Sequence, residues 1–210
     1  MRPLYALAAT MLFVGGATAD DADTADAMSA DNAFAYSFHA QATSLYAVDG
    51  ELYEGPTFEE GDTVSLADYA GHPILVVNTA AHCGFTPQFE GLQAVWDAYR
   101  EDGLMMIGVH QNNFRDQGGT EAELAEQCEL YNVDFPQMQQ VDVIGEDSDP
   151  FYAWVREEIG TDNFPEWNFN KVLIGADGEL LATFNSGDFE NRSNVKPELI
   201  EAIEAALTNT

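Results

Sequence analysis

Basic residues are scarce in this chain. Lysine occurs only at positions 171 and 196, and lysine plus arginine total 7 against 37 aspartates and glutamates, a formal net charge of −30. Such a surface repels phosphate, which makes nucleic acid and anionic lipid poor partners. The acids run along the whole chain rather than in one block. They read as a solvated acidic surface, or more narrowly as adaptation to a saline medium in which screening relieves self-repulsion. Cysteine is rarer still, with only Cys83 and Cys128. Their wide separation argues against the Cys-x-x-Cys pair of a dithiol reductase and against a closely spaced metal clip. A hydrophobic run long enough to span a bilayer is also missing, and no internal repeat is present.

What is there has a clear order. Residues 1–19 carry Arg2, a short apolar stretch and the segment Gly15-Gly16-Ala17-Thr18-Ala19. This is the pattern of a secretory signal cleaved near Ala19, so an exported protein, periplasmic or extracellular, is expected. Residues 20–33, rich in Asp, Ala and Ser without periodicity, read as an acidic disordered linker. The remainder, 34–210, is expected to form one domain with a sizeable core.

Within that domain Tyr36, Phe38 and Ala40 alternate, and Gly55-Pro56 and Gly61-Asp62 mark turns, which predicts an amino-terminal hairpin. The apolar run 74–77 predicts a strand buried on both faces. Phe89, Leu92, Trp96 and Tyr99 recur at helical spacing, and 104–109 reads as the next strand. Thr120 and Glu123 form a capping box for a helix carrying Leu124, Cys128 and Tyr131 on one face. A short strand is expected over 141–144, and Asp149-Pro150 opens a helix to 159. Asp177-Gly178 predicts a hairpin between 171–174 and 180–184, and 197–207 is an amphipathic helix. The class is α/β.

The chemistry centres on Cys83, placed between the end of a buried strand and a helix start, where Thr86 suits an N-cap and Pro87 the first helical position. That edge of an open α/β sheet is where ligands bind, and the helix start favours the thiolate, which is the nucleophile. A structural disulfide is the default for two cysteines in an exported chain, but a junction of small residues gives a staple little to add. Cys128, on the apolar stripe of its helix, is open to two readings at this point, a small core hydrophobe or a second redox thiol.

The segment Asn78-Thr79-Ala80-Ala81-His82-Cys83-Gly84-Phe85-Thr86-Pro87-Gln88-Phe89 resembles the active-site signature of the glutathione peroxidase family. Trp167-Asn168-Phe169-Asn170-Lys171 resembles the family's Trp-Asn-Phe block, and Asn112-Asn113-Phe114 falls where the family has Asn-Gln-Phe. The resemblance spans roughly residues 34–207. It implies a thioredoxin-like fold, with a central mixed sheet flanked by helices, and a peroxidase in which the Cys83 thiolate attacks a peroxide and becomes a sulfenic acid. It implies Trp167 and Asn168 as hydrogen-bond donors. Asn113 stands in the place of the catalytic glutamine, one methylene shorter, with Gln111 as an alternative donor. The distance from Cys128 to Phe135-Pro136 resembles that of the resolving cysteine in the thioredoxin-dependent branch.

No cofactor or metal is expected. His82 and His110 lie nearby and read either as candidate proton carriers near neutral pH or as solvated loop histidines, so neither is counted in the core site. The expected substrate is hydrogen peroxide or an organic hydroperoxide, and so acidic a chain has little with which to capture anionic glutathione, so a thioredoxin-like thiol protein is the expected reductant. The stretch 149–167 is short where family tetramers have an assembly loop, which implies a monomer. The competing readings are an exported disulfide reductase, a copper-delivery protein, for which Pro87 occupies the place of the second thiol, and a non-catalytic domain of the same fold held by one disulfide.

Overall fold

The computed structural model describes residues 32–41, 47–48, 51–52, 59–190 and 194–209. The expected signal peptide, the linker as far as residue 31 and the Gly55-Pro56 turn lie outside the described residues. Asn32 caps a 3-10 turn, Ala33–Ala35, by accepting the Phe34 N–H. Ala33 is fully buried and donates its N–H to the Gly178 carbonyl, so packed structure already includes it.

Four short strands come first: β1 (Ser37–His39), β2 (Ala47–Val48), β3 (Glu51–Leu52) and β4 (Thr63–Ser65). β1 pairs antiparallel with β4, and β2 with β3, which gives the expected amino-terminal hairpin region. Phe38 is the buried residue of β1 and packs edge-on against Phe151.

The main sheet is built from β5 (Ile74–Thr79), β6 (Met105–His110), β7 (Gln137–Met138), β8 (Lys171–Ile174) and β9 (Leu180–Phe184), in the order β7-β6-β5-β8-β9. β5, β6 and β7 run parallel, while β8 is antiparallel to β5 and β9 to β8. Every residue of β5 and β6 is buried, as continuous apolar runs in a doubly covered sheet require. Both edges are limited. β7 is only two residues long and is met from outside by Ala40 and Gln41, and the pairing of β9 with β8 shifts register between Leu173 and Ile174 of β8.

The helices are α1 (Gln88–Tyr99), α2 (Glu121–Tyr131), α3 (Pro150–Ile159) and α4 (Pro197–Thr208). α2 opens on the expected capping box: the Glu123 N–H bonds Thr120 Oγ1, and the Glu123 carboxylate accepts from the Thr120 N–H. α3 opens on Asp149, whose carboxylate accepts from the Phe151 N–H, with Pro150 at the first position. Burial raises the Asp149 carboxyl above its ordinary value, and that hydrogen bond works against the rise. A last small pair, β10 (Phe189–Glu190) and β11 (Asn194–Val195), precedes α4. The whole is a thioredoxin-like mixed sheet flanked by helices.

Two local expectations are corrected. Helix α1 starts at Gln88 with Pro87 as its N-cap and no side-chain cap. Thr86 does not cap it, because its hydroxyl is committed to the preceding loop. Residues 141–144 form no strand: the Val143 N–H goes to Asn113 Oδ1 and its carbonyl to Arg156, so side chains satisfy backbone groups that a neighbouring strand would have taken. Among the described residues, no helix is long and apolar enough to cross a membrane.

Candidate active site

Sheet topology brings the three singled-out segments to one edge. β5 and β6 are parallel neighbours, so the loops after Thr79 and after His110 leave side by side. β8 is antiparallel to β5 with Lys171 opposite Val77, so the segment before Lys171 arrives at the same edge. Asn78, one residue before the end of β5 and buried, fixes it there. Its Oδ1 accepts the Asn170 N–H (2.9 Å), its Nδ2 donates to the Trp167 carbonyl (2.9 Å), and its own carbonyl accepts the Phe169 N–H (2.7 Å). Phe169, held at a left-handed φ of 61°, drives its ring into the core edge-on to Phe89.

The Cys83 loop is a set of turns locked by Thr86. The Thr86 hydroxyl accepts the Cys83 N–H at 3.1 Å and donates to the Ala80 carbonyl at 3.0 Å. Cys83 is 7% exposed and is a free thiol. Its sulfur lies 3.4 Å from the Phe85 nitrogen, whose N–H points at it, a donor suited to a thiolate. The same loop is tied to the one after β6: the N–H groups of Ala81 and His82 donate to the carbonyls of Gly118 and Gln117. Gly118 is required at that crossing, since a Cβ there would stand 2.1 Å from the Gln111 carbonyl oxygen.

Asn168 is fully buried and is the hub of the amides. Its Nδ2 donates to Gln117 Oε1 at 2.9 Å, and its Oδ1 accepts from Gln111 Nε2. Gln111, also fully buried, accepts the Asn113 N–H on its Oε1. Asn113 is engaged elsewhere: its Nδ2 donates to Asp142 at 2.7 Å and its Oδ1 accepts the Val143 N–H at 2.7 Å. Of Gln111 and Asn113, it is thus Gln111 that joins Gln117 against Asn168, and the Asn113 side chain, one methylene shorter than a glutamine, bridges to the 142–143 segment. Trp167 is half-buried, packs on Phe114 with centroids 5.5 Å apart, and lies under the Arg115 guanidinium.

Cys128 lies in the core on α2, fully buried, and burial pushes its thiol up to about 12. His82 is partly exposed and lies 3.2 Å from the Glu123 carboxylate. The Thr120 donors, with His82 after them, hold that carboxyl below its ordinary value. His110 is buried, and desolvation lowers its pKa despite the bond its Nε2–H donates to the Gly118 carbonyl. Among the described residues, no group of three or more His, Cys, Asp or Glu is placed to hold a metal ion.

A family model described as glutathione peroxidase matches residues 53–156. A glutathione peroxidase of Lactococcus lactis is 41% identical over 128 residues, covering 59% of this chain and 82% of that protein. The chain belongs to the glutathione peroxidase family. A glutathione peroxidase-like peroxiredoxin of Schizosaccharomyces pombe is 33% identical over 136 residues, covering 62% of this chain and 85% of that protein. Among solved structures, the crystal structure of Trgpx in apo form superposes with a TM-score of 0.59 at 28% identity, covering 84% of this chain and 95% of that one.

Several residues of this family member's site escape reading by motif alone. Gln117 lies outside the quoted motif blocks, yet it accepts a hydrogen bond from Asn168. Lys171 is fully buried, donates to Gln88 Oε1 at 2.6 Å, and Gln88 in turn donates to the Ser186 carbonyl. Ser186 donates to the Asn168 carbonyl at 2.6 Å, so this chain of bonds supports the hub from below. Lys171 and Gln88 both lie inside the quoted motif blocks, but the blocks do not show that the two bond each other.

Two outcomes follow from these bonds. Thr86→Val removes the hydroxyl and leaves the buried Cys83 N–H and Ala80 carbonyl without it, which is expected to lower stability by about 1–3 kcal/mol in denaturant unfolding, while Thr86→Ser keeps most of it. For His110, the folded state binds its proton more weakly than the unfolded chain. The resulting stabilisation is complete above the ordinary histidine pKa of about 6.5 and is lost as pH falls below it. The stability gap between the wild type and His110→Gln, from denaturant unfolding between pH 8 and 5, should therefore be flat above about 6.5 and shift against the wild type below it.

Proposed function

We propose that this chain is a thiol peroxidase that reduces hydrogen peroxide or organic hydroperoxides through Cys83. The observation that carries the reading is the convergence of three segments on one sheet edge, with Cys83 in a locked loop bonded to the segment that also contacts Asn168. In the reaction, the Cys83 thiolate attacks one peroxide oxygen and the O–O bond breaks. The departing oxygen takes its bonding pair and a proton and leaves as water or alcohol, and Cys83 becomes a sulfenic acid. The Trp167 indole N–H and the amides around Asn168 are the donors proposed to hold the thiolate and the leaving oxygen. We assign the carboxamide role to Gln111 rather than Asn113, because Gln111 is the one bonded to Asn168.

Cys128 is the proposed resolving thiol. Deprotonated, it attacks the sulfenic sulfur, the hydroxyl leaves as water, and a disulfide forms. A thiol raised to about 12 by burial is a poor nucleophile where it sits, so this step requires α2 to open. The helix buries only Leu124 and Cys128, a small apolar area to release. The disulfide is then reduced by an external thiol; a thioredoxin-like protein fits the charge of this chain better than glutathione does. The proposal extends to a monomer exported by way of residues 1–19. A Cys-x-x-Cys disulfide reductase would need a second thiol at the position of Thr86.

The direct test treats reduced protein with one equivalent of hydrogen peroxide and measures its mass and turnover. The wild type should lose two hydrogens, Cys128→Ser should gain one oxygen, and Cys83→Ser should do neither and turn over at the uncatalysed rate. Equal turnover by Cys83→Ser and wild type would overturn the reading. On the donor assignment, Gln111→Leu is expected to lower kcat/KM on the order of 10²-fold, and Asn113→Leu by much less. The reverse order would return the role to Asn113.

A further inference from the structure

The geometry points to Arg115 as a specificity-determining residue that makes this site favour hydroperoxides carrying a carboxylate, an inference that rests on the peroxidase reading above. The other described cations have partners. Arg100 pairs with Asp97 and Asp134, Arg156 donates to the carbonyls of Val143 and Phe164, and Lys171 is buried against Gln88. Lys196 is engaged as well. Arg115 is exposed, and among the described residues it makes no ion pair. Its guanidinium carbon stands 5.2 Å from the centre of the Trp167 ring, the indole proposed to hold the peroxide.

The backbone that puts it there is strained. Arg115 and Asp116 both have left-handed φ values, 54° and 51°, and the Gln117 N–H closes the turn on the Phe114 carbonyl at 3.2 Å. Such a mirror-image turn favours glycine, asparagine or aspartate at its two central positions. Asp116 suits the second of them, whereas Arg115 is disfavoured at the first. One tight turn sets Arg115 over Trp167 and sends the Gln117 amide to Asn168. Backbone strain of this kind persists where the surrounding structure over-determines it, and it clusters at functional sites.

A guanidinium presents paired N–H donors that match a carboxylate. The rest of the chain is strongly negative, but at physiological salt fields from charges beyond about 8 Å are largely screened, whereas a contact with Arg115 is not. Asp116 and Glu166 flank the turn and the indole, and both are exposed. They reduce the advantage to that of an ordinary exposed ion pair, about threefold to fivefold in kcat/KM.

The test compares a long-chain fatty-acid hydroperoxide with its methyl ester, both below their aggregation limit, and takes the acid-to-ester ratio of kcat/KM. Dithiothreitol serves as reductant, so that no carboxylate enters with the thiol, and hydrogen peroxide is the reference substrate. The wild type should show a ratio of about three to five that shrinks toward one in ~1 M salt. Arg115→Gln should bring the ratio to one or below, and Arg115→Lys should keep it above one. Because the ester reports any general effect on the indole, the ratio isolates the charge. A wild-type ratio at or below one, or one that Arg115→Gln leaves unmoved, overturns the role of Arg115 while hydrogen peroxide turnover leaves the peroxidase reading standing. A wild type inert to hydrogen peroxide overturns both.

Discussion

A single buried carboxamide decides where everything else at the site can stand. Asn78 lies one residue before the end of the central strand, with its donor and acceptor both taken by the segment 167–170. That segment must then enter the sheet antiparallel at the neighbouring position, with Lys171 opposite Val77. A buried amide left half-bonded would cost about as much as several good contacts return, so the pairing fixes the geometry instead of merely permitting it. Asn168 is delivered to the carboxyl end of the sheet by that one attachment. Gln111 and Gln117 reach it from the neighbouring loop.

Polar bonding continues beneath the site in a way that suits so acidic a chain. Lys171 is a cation enclosed by protein, with Gln88 at the start of α1 as an oxygen partner and Ser186 beyond it. A charge can be buried only when it is well partnered, and the connection through Ser186 to the Asn168 carbonyl makes that partnering part of the site's frame. The two sulfurs lie in different surroundings. Cys83 sits in turns whose N–H groups face it or are tied to Thr86, whereas Cys128 is surrounded by apolar packing that keeps it protonated.

Much of this was legible in the order of residues. The doubly buried strands, the capping box at Thr120, the Asp149-Pro150 helix start and the Asp177-Gly178 hairpin each depend on local periodicity or on hydrogen bonds within a few residues. Thr86 and the 141–144 segment were not legible. Thr86 carries the side chain of a helix cap, but the Ala80 carbonyl and the Cys83 N–H compete for the same hydroxyl and take it. The 141–144 run has strand-like side chains, but Asn113 and Arg156, distant in sequence, satisfy its backbone first. Gln117 and Ser186 look like ordinary loop residues and gain importance only through what the fold sets beside them.

By itself the sequence determined the α/β class, the position of Cys83 after a buried strand and the sign of the surface. Each of these follows from composition or from spacing that a helix or strand converts directly into a face. Tertiary structure alone decided which carboxamide meets Asn168, that Asn113 is diverted to the 142–143 segment, and that Arg115 rests on Trp167. These are choices among donors a few ångströms apart, made by strand register and loop closure. Several side chains near one another in the chain could have filled each role, and only folding brings one of them within reach.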